Sequence, residues 1–398
     1  MGKGISRVYA ASIPPVSYCA PWDVAFDDRM SLMMRGSPRA AYFYTVPDTS
    51  TFRYRAYNVA QSLTASGALR GPAAGWFIEA DLEQMDRVLD ACDVLVLCRN
   101  SLYTDRIARL AARARARRRR ILFDVDDLVF DPAYIHLLMD TLGVDMRDQA
   151  TWDYWFAYVG RVGATFALCD AALVTNDYLA GHARAWSGKP ARVIPNFLNR
   201  EQQEVSDRVW DAKAADGWAR DGRTHLGYFS GSPSHSRDFG LISNTIARLM
   251  DEDASLWLRV VGFLEPGPEL NRHRARIECL PLQDFMNLQR EIGAVEVNLV
   301  PLQDNPFTNC KSELKWFEAA LTGTLTIASP TYTYHRTIKH GCNGWLARAH
   351  TWEAILRDVL VAVDDHRAHC ALRARQEARD RYGWDRQAAT IAAALFAD

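Results

Sequence analysis

Residues Asn298 to Ser329 read NLVPLQDNPFTNCKSELKWFEAALTGTLTIAS. An apolar run that starts upstream at Val295 ends at Pro301 and passes into a polar loop. Helical spacing follows from about Cys310 to Leu321, Gly323 suits a helix end, and a second apolar run covers Leu325 to Ala328. Strand, loop, helix and strand in that order form one unit of a parallel sheet covered by helices. The same alternation runs outward in both directions. Asp93–Cys98 (DVLVLC) is continuously apolar after its first residue, the mark of a strand buried on both faces. Strands are also predicted at 40–46, 76–78, 121–125, 171–175, 192–194, 225–230, 255–261 and 276–280. Between them lie helical stretches such as 54–65, 104–119, 152–168 and 239–250.

The alternation breaks once. Residues 200–223 (REQQEVSDRVWDAKAADGWARDGR) are polar and hold no strand run, so they read as a connection between two doubly wound halves. The expected organisation is an arm or extension over 1–39, a first Rossmann-like domain over 40–200, a second over 201–375 and a terminal helix over 376–398. Ligands of such sheets bind at the carboxyl ends of the strands, and two facing sheets enclose a cleft.

Composition narrows the class. The chain has 398 residues, 48% hydrophobic and 24% charged, with 47 Lys and Arg against 48 Asp and Glu. That is the profile of a globular protein with large cores. A net charge of -1 gives no electrostatic footprint for nucleic acid. No apolar run reaches membrane-spanning length, and the first residues lack the apolar core of a signal peptide. Eight cysteines without a C-x-x-C pair read as buried thiols of a reducing cytoplasm. His366 and His369 have no third ligand nearby, so no metal site is expected.

Five segments can carry chemistry. In the opening stretch, Thr308, Asn309, Lys311 and Ser312 surround a helix start, where free N–H groups and a lysine suit a diphosphate. Glu318, two turns beyond Lys311, can accept hydrogen bonds from a ribose diol. An ordinary capped helix with a solvated glutamate fits the same spacing. In HLGYFSGSPSHSRD, a strand runs into Ser230, Gly231 and Ser232, with His235 and Arg237 following. Small residues there let a phosphate approach, or form a tight turn. In ILFDVDDLVFD, Asp124, Asp126 and Asp127 end a buried strand. They could chelate a metal under a diphosphate, orient an acceptor, or bind nearby arginines. In TFRYRAY, Arg53 and Arg55 could bind a phosphate or acidic sugar, or pair with those aspartates; Arg99, after DVLVLC, invites the same readings. Arg106–Arg120 holds eight arginines, either a solvated helix face or an attraction to anionic lipid.

Taken in order, TFRYRAYN, LCR, FDVDDLVF, VIPNFLN, GYFSGSPSHSRDF, VPLQDNPFTNCKSELKWFEAALTG, HGCNGWLA and YGWDRQAATIAAAL resemble the GT-B glycosyltransferases near family 4. These are nucleotide-sugar-dependent, retaining enzymes, and the resemblance runs from about Ala40 to Phe396. It implies two Rossmann-like domains facing across a cleft, acceptor on the first and donor on the second, with the terminal helix crossing back. Glu318 matches the second glutamate of the family's paired motif, which holds the donor ribose. The first falls at Cys310, a departure that bears on the donor sugar and the stereochemistry. The resemblance further implies Lys311 on the diphosphate, with Ser230, Gly231, Ser232 and His235 opposite. It also implies catalysis without a bound metal or other cofactor, and roles for Asp124, Asp126, Asp127 and Arg99 at the reacting centre. Arg53 and Arg55 would meet the acceptor. The expected activity is transfer of a sugar to a saccharide or lipid-linked saccharide in bacterial O-antigen or capsule synthesis, in the cytoplasm, with Arg106–Arg120 as the candidate membrane contact. The rivals are a D-x-D metal-dependent transferase, a nucleotide-sugar epimerase and a non-catalytic donor-binding subunit.

Overall fold

A computed structural model describes residues 13–48, 50–65, 71–219, 221–231 and 236–397. Twelve strands form two parallel sheets among these residues. The first contains β1 (Arg39–Phe43), β2 (Ala73–Phe77), β3 (Val94–Cys98), β4 (Arg120–Asp124), β5 (Ala171–Val174) and β6 (Ala191–Val193). Its spatial order is β2-β1-β3-β4-β5-β6. The second contains β7 (Thr224–Ser230), β8 (Leu256–Gly262), β9 (Ile277–Leu280), β10 (Val297–Val300), β11 (Leu325–Ala328) and β12 (Trp345–Leu346). It runs β12-β11-β10-β7-β8-β9. The central strands β3 and β10 are buried along their whole length, as their unbroken apolar runs predict.

Three expectations are corrected. The polar connection is a sixteen-residue helix, Arg200–Ala215, capped by the Asn199 side chain. Its inner face is Gln202, Val205, Ser206, Val209 and Lys213, so helical spacing is present but carried largely by polar residues. The helix expected from Cys310 starts only at Leu314, after a separate turn at Pro306–Asn309. Lys311 and Ser312 therefore lie in a loop. Finally, HGCNGWLA, where the sequence predicts no strand, supplies the two-residue edge strand β12.

The halves share apolar contacts. One core cluster includes Tyr42 and Leu173 from the first half and Phe285, Val300 and Phe317 from the second. Residues 13–22 cross between them. The Val16 N–H donates to Asn287 Oδ1 at 3.0 Å, and Asn287 Nδ2 returns a bond to the Val16 carbonyl at 2.9 Å. Trp22 packs against Phe52 and Tyr57 on one side and Phe285 on the other. At the far end, the Ala388–Phe396 helix lies against the first half, where Arg192 bonds the Ala394 carbonyl. Gly323 takes a φ of +73° at the end of the Leu314–Leu321 helix, a conformation glycine adopts without cost.

Lys213 ties the Arg200–Ala215 helix to the second half. Its buried ammonium donates to the carbonyls of Gly293 and Thr322 at 3.0 and 2.7 Å, at the ends of two helices. Burial pushes its pKa down to about 7. A neutral amine can still serve both carbonyls. Between pH 7 and the unfolded value of about 10.4, the unfolded chain binds a proton the folded one lacks, so stability rises with pH. Lys213→Met should remove that rise and leave two carbonyls unpaired, costing about 1–3 kcal/mol at pH 9 and less at pH 7. Urea unfolding at the two pH values checks this; an equal loss at both would contradict it.

Candidate active site

A cleft of about 300 Å³ opens between the carboxyl ends of the two sheets. From the first half it is lined by Thr51, Arg53, Tyr54, Arg99, Asp126 and Asp127. From the second it is lined by Ser230, Gly231, Lys311, Ser312, Lys315 and Glu318, with Asn196 between the halves.

The first wall is a set of paired charges. Arg99 Nη1 lies 2.8 Å from both Asp126 Oδ1 and Asp127 Oδ2. Thr51 Oγ1 donates to Asp126 Oδ2 at 3.0 Å. Burial pushes the Asp126 carboxyl up from its usual range, opposed by Arg99 and reinforced by Asp127. Lys311 Nζ reaches across from the second half to within 3.8 Å of Asp127.

The second wall is cationic and ends in Glu318. Lys315 sits one turn before Glu318 on the Leu314–Leu321 helix. Burial pushes its pKa down to about 8, an ammonium short of compensating charge and ready for an anion. The floor is the Ser230–Gly231 end of β7. Gly262 faces Ser230 across the strand pair with φ +99°, and a Cβ on it would come within 2.0 Å of the Ser230 carbonyl oxygen. Among the described residues, a Cβ on Gly231 would meet nothing within 4 Å.

Glu318 Oε1 joins the halves. It accepts from the Tyr54 hydroxyl at 2.5 Å and from Gln202 Nε2 at 2.8 Å, with Arg53 Nη2 at 3.6 Å. Arg53 also bonds Gln202 Oε1 at 2.9 Å and covers the Tyr54 ring. Arg53 and Tyr54 come from a π-helical turn, Arg53–Tyr57, a local irregularity found at functional sites more often than elsewhere.

Several sequence-predicted residues lie elsewhere. Asp124 and Arg55 do not line the cleft. They form a buried two-pronged pair, 2.9 Å on each side, and Arg55 also bonds the Ile194 carbonyl and Asn196. The reason is angular: residues two apart on a helical turn point in opposing directions, so Arg53 enters the cleft and Arg55 the core. Thr308 and Asn309 are consumed locally. Thr308 completes a cap with Asn305, while Asn309 bonds Asp304 and receives the Tyr332 N–H. Cys310 is buried beside Phe307 in the apolar core of the first half, with its carbonyl accepting from Asn176. Ser232 and His235 lie outside the described residues. The arginines of 106–120 are largely spent. Arg113 and Arg117 reach Asp86, Arg117 also reaches Asp90, and Arg109 pairs with Asp105. All eight cysteines are free, and no cluster of three or more metal-ligating side chains occurs among the described residues. No described helix is long and apolar enough to cross a membrane.

The cleft residues Tyr54, Asn196 and Lys315 were not anticipated, nor was Gln202, which lies behind the cleft on Glu318. Lys315 had a signal, standing four residues after Lys311 and three before Glu318. Tyr54 and Gln202 had none, because their partner is distant in sequence.

No protein-family model and no curated protein sequence matches the chain. Solved structures do. HepE from Anabaena, solved with UDP, aligns with a TM-score of 0.59 over 89% of this chain and 98% of its own, at 13% identity. WaaG, a glycosyltransferase of lipopolysaccharide biosynthesis, aligns with a TM-score of 0.58 over 89% and 99%, at 12% identity. Sucrose-phosphate synthase from Thermosynechococcus elongatus gives 0.54 over 88% and 96%, at 15% identity. The two sheets and their cleft are therefore the GT-B fold of the glycosyltransferases, as the sequence motifs implied.

The aspartates divide by role, which stability measurements can show. Asp124→Asn should cost about 3–5 kcal/mol, because it leaves the buried Arg55 without its counter-charge. Asp127→Asn, on a partly open carboxylate, should cost under about 1 kcal/mol. Equal losses in urea unfolding would contradict this division.

Proposed function

We propose that the chain moves a glycosyl group from a nucleoside diphosphate sugar to a saccharide acceptor. The observation that carries this reading is the pairing of two walls in one cleft. Lys311, Lys315 and Glu318 stand on the side of the second sheet, and Arg99, Asp126 and Asp127 stand on the first. Lysines and a glutamate suit a nucleoside diphosphate, ammonium groups on the phosphates and carboxylate on the ribose diol. HepE was solved with UDP and with UDP-glucose, which supports a uridine donor.

In this reading, the bond between the sugar anomeric carbon and the diphosphate breaks as the acceptor oxygen bonds that carbon on the face the diphosphate leaves, so the anomeric configuration is kept. Charge develops on the leaving diphosphate, and Lys311 and Lys315 stabilise it in a partly water-excluded cleft. The acceptor hydroxyl loses its proton to Asp126 or Asp127, and Asp126's raised pKa suits a base. Retention of anomeric configuration and a role in surface polysaccharide assembly are part of the proposal. The D-x-D reading is weakened because Asp124 is already held on both oxygens by Arg55. A donor-binding subunit without turnover is the second reading, favoured by Cys310. Its thiol is buried where the family motif carries an acid.

UDP at about 100 times its dissociation constant should stabilise the protein by about 2.7 kcal/mol in a thermal-shift assay. Glu318→Ala should lose most of that gain. No shift from UDP, GDP, CDP, dTDP or ADP would contradict the donor site.

The same site predicts a pH dependence. Binding that needs the Lys315 ammonium should weaken as pH rises through about 8, where the free lysine loses its proton. Lys315→Arg, charged throughout, should bind UDP equally at pH 7 and pH 9. Calorimetric titration at the two pH values checks this; a wild-type affinity independent of pH would contradict it.

A further inference from the structure

The Gln149–Ala167 helix, on the first half, carries Trp152, Tyr154, Trp155, Phe156 and Tyr158 within seven residues. Burial normally hides such side chains. Trp152, Trp155 and Tyr158 pack partly against the core of the first half, yet Tyr154 is 64% exposed and Phe156 49%. Their rings are braced on one another. Tyr154 meets Trp155 edge-on at 5.2 Å, Trp155 meets Tyr158 at 5.6 Å, and Trp152 meets Phe156 at 6.1 Å.

This face adjoins the loop that carries the cleft residue Arg99. The loop that leaves β3 with Arg99 runs on to Tyr103, itself 41% exposed, and is fastened to the helix. Tyr103 N–H donates to the Arg161 carbonyl at 3.2 Å, and Arg161 Nε donates to the Tyr103 carbonyl at 3.0 Å. Tyr158 lies within the electrostatic reach of Arg99, Asp126 and Asp127, and Tyr154, one turn back, acts on Tyr158 in turn. Tyr158, Trp155 and Tyr154 thus lead outward from the aspartates that would receive an acceptor, while Trp152 and Phe156 pair on the other side of the helix.

We propose that this helix face is an acceptor platform, on which the pyranose rings of a saccharide stack as its terminal hydroxyl enters the cleft at Asp126 and Asp127. It rests on the glycosyltransferase reading. Pyranose faces present C–H groups that pack on aromatic rings, while their hydroxyl rims need acceptors. Asp153, next to Tyr154 and bonded to Gln149 through Oδ1 alone, can accept them. Tyr154 and Tyr158 stand four residues apart, a rise of about 6 Å, comparable to the length of one pyranose. The charge around the patch disfavours an anionic bilayer. Asp145, Asp148 and Asp153 stand at or just before the start of this helix, and Arg147 is paired with Asp145.

The test uses the full chain and a printed array of lipopolysaccharide-core and capsule oligosaccharides, with UDP present. Flotation with phosphatidylglycerol-containing vesicles runs in parallel. Wild type should be retained on a subset of glycans, and Tyr154→Ala about tenfold more weakly, with an unchanged melting temperature; Phe156→Ser, on the other side of the helix, should leave retention unchanged. Tyr154→Phe should keep retention, because the ring remains. Equal retention by wild type and Tyr154→Ala would overturn the platform, as would no retention of a wild type that UDP protects. Vesicle flotation abolished by Tyr154→Ala would overturn it in favour of a membrane contact. A wild type that no nucleotide protects would instead overturn the glycosyltransferase reading itself.

Discussion

A single carboxylate oxygen, Glu318 Oε1, is the point on which the arrangement turns. It takes hydrogen bonds from Tyr54 on the first half and Gln202 on the connecting helix, with Arg53 close behind. Glu318 itself stands on the Leu314–Leu321 helix of the second half and lines the cleft. All four residues are nearly buried, so the interaction is little screened. Any opening of the cleft must break this knot or carry its partners along. A donor that engages Glu318 and the relative position of the two halves are consequently coupled through one side chain. The arm at 13–22 and the terminal helix reinforce the closed arrangement at the periphery.

A second constraint lies behind the first wall. Arg55 is fully buried and its charge is met by Asp124, by the Ile194 carbonyl and by Asn196. Asn196 then donates to Ser312 in the donor loop at 3.0 Å. This explains why VIPNFLN, a segment without an ionisable group, matters. Its carbonyls and asparagines connect the buried arginine to the donor loop and cap the connecting helix through Asn199. The pair is costly to assemble in a low-dielectric core and costly to break, so it fixes geometry more than it adds stability.

Much of the fold was legible because its strands are buried on both faces, which forces continuous apolar runs such as DVLVLC and VEVNLV. β12 was not, because two residues at a sheet edge make no pattern. The connecting helix was missed because its inner face is built from Gln202, Ser206 and Lys213, whose hydrogen bonds replace apolar burial. At the site, the second-half wall was legible in part: Lys311 and Glu318 line the cleft, while Lys315, between them on the same stretch, was missed. Arg53 and Arg55 were grouped although two residues of a helical turn cannot share one ligand. Thr308 and Asn309 were assigned to a ligand when N-P-x-T already describes a self-capped turn. Tyr54 and Gln202 could not be found from local text, since Tyr54 meets Glu318 across 264 positions.

The central claim is that this cleft transfers a sugar rather than merely holding a nucleotide. Release of UDP from UDP-glucose and related UDP-sugars, followed by mass spectrometry with and without a bacterial glycolipid extract, tests it most directly. The account predicts UDP release that depends on the extract and is matched by a glycan product heavier by one sugar. UDP-sugar left intact under every extract, by a protein that binds UDP, would contradict it.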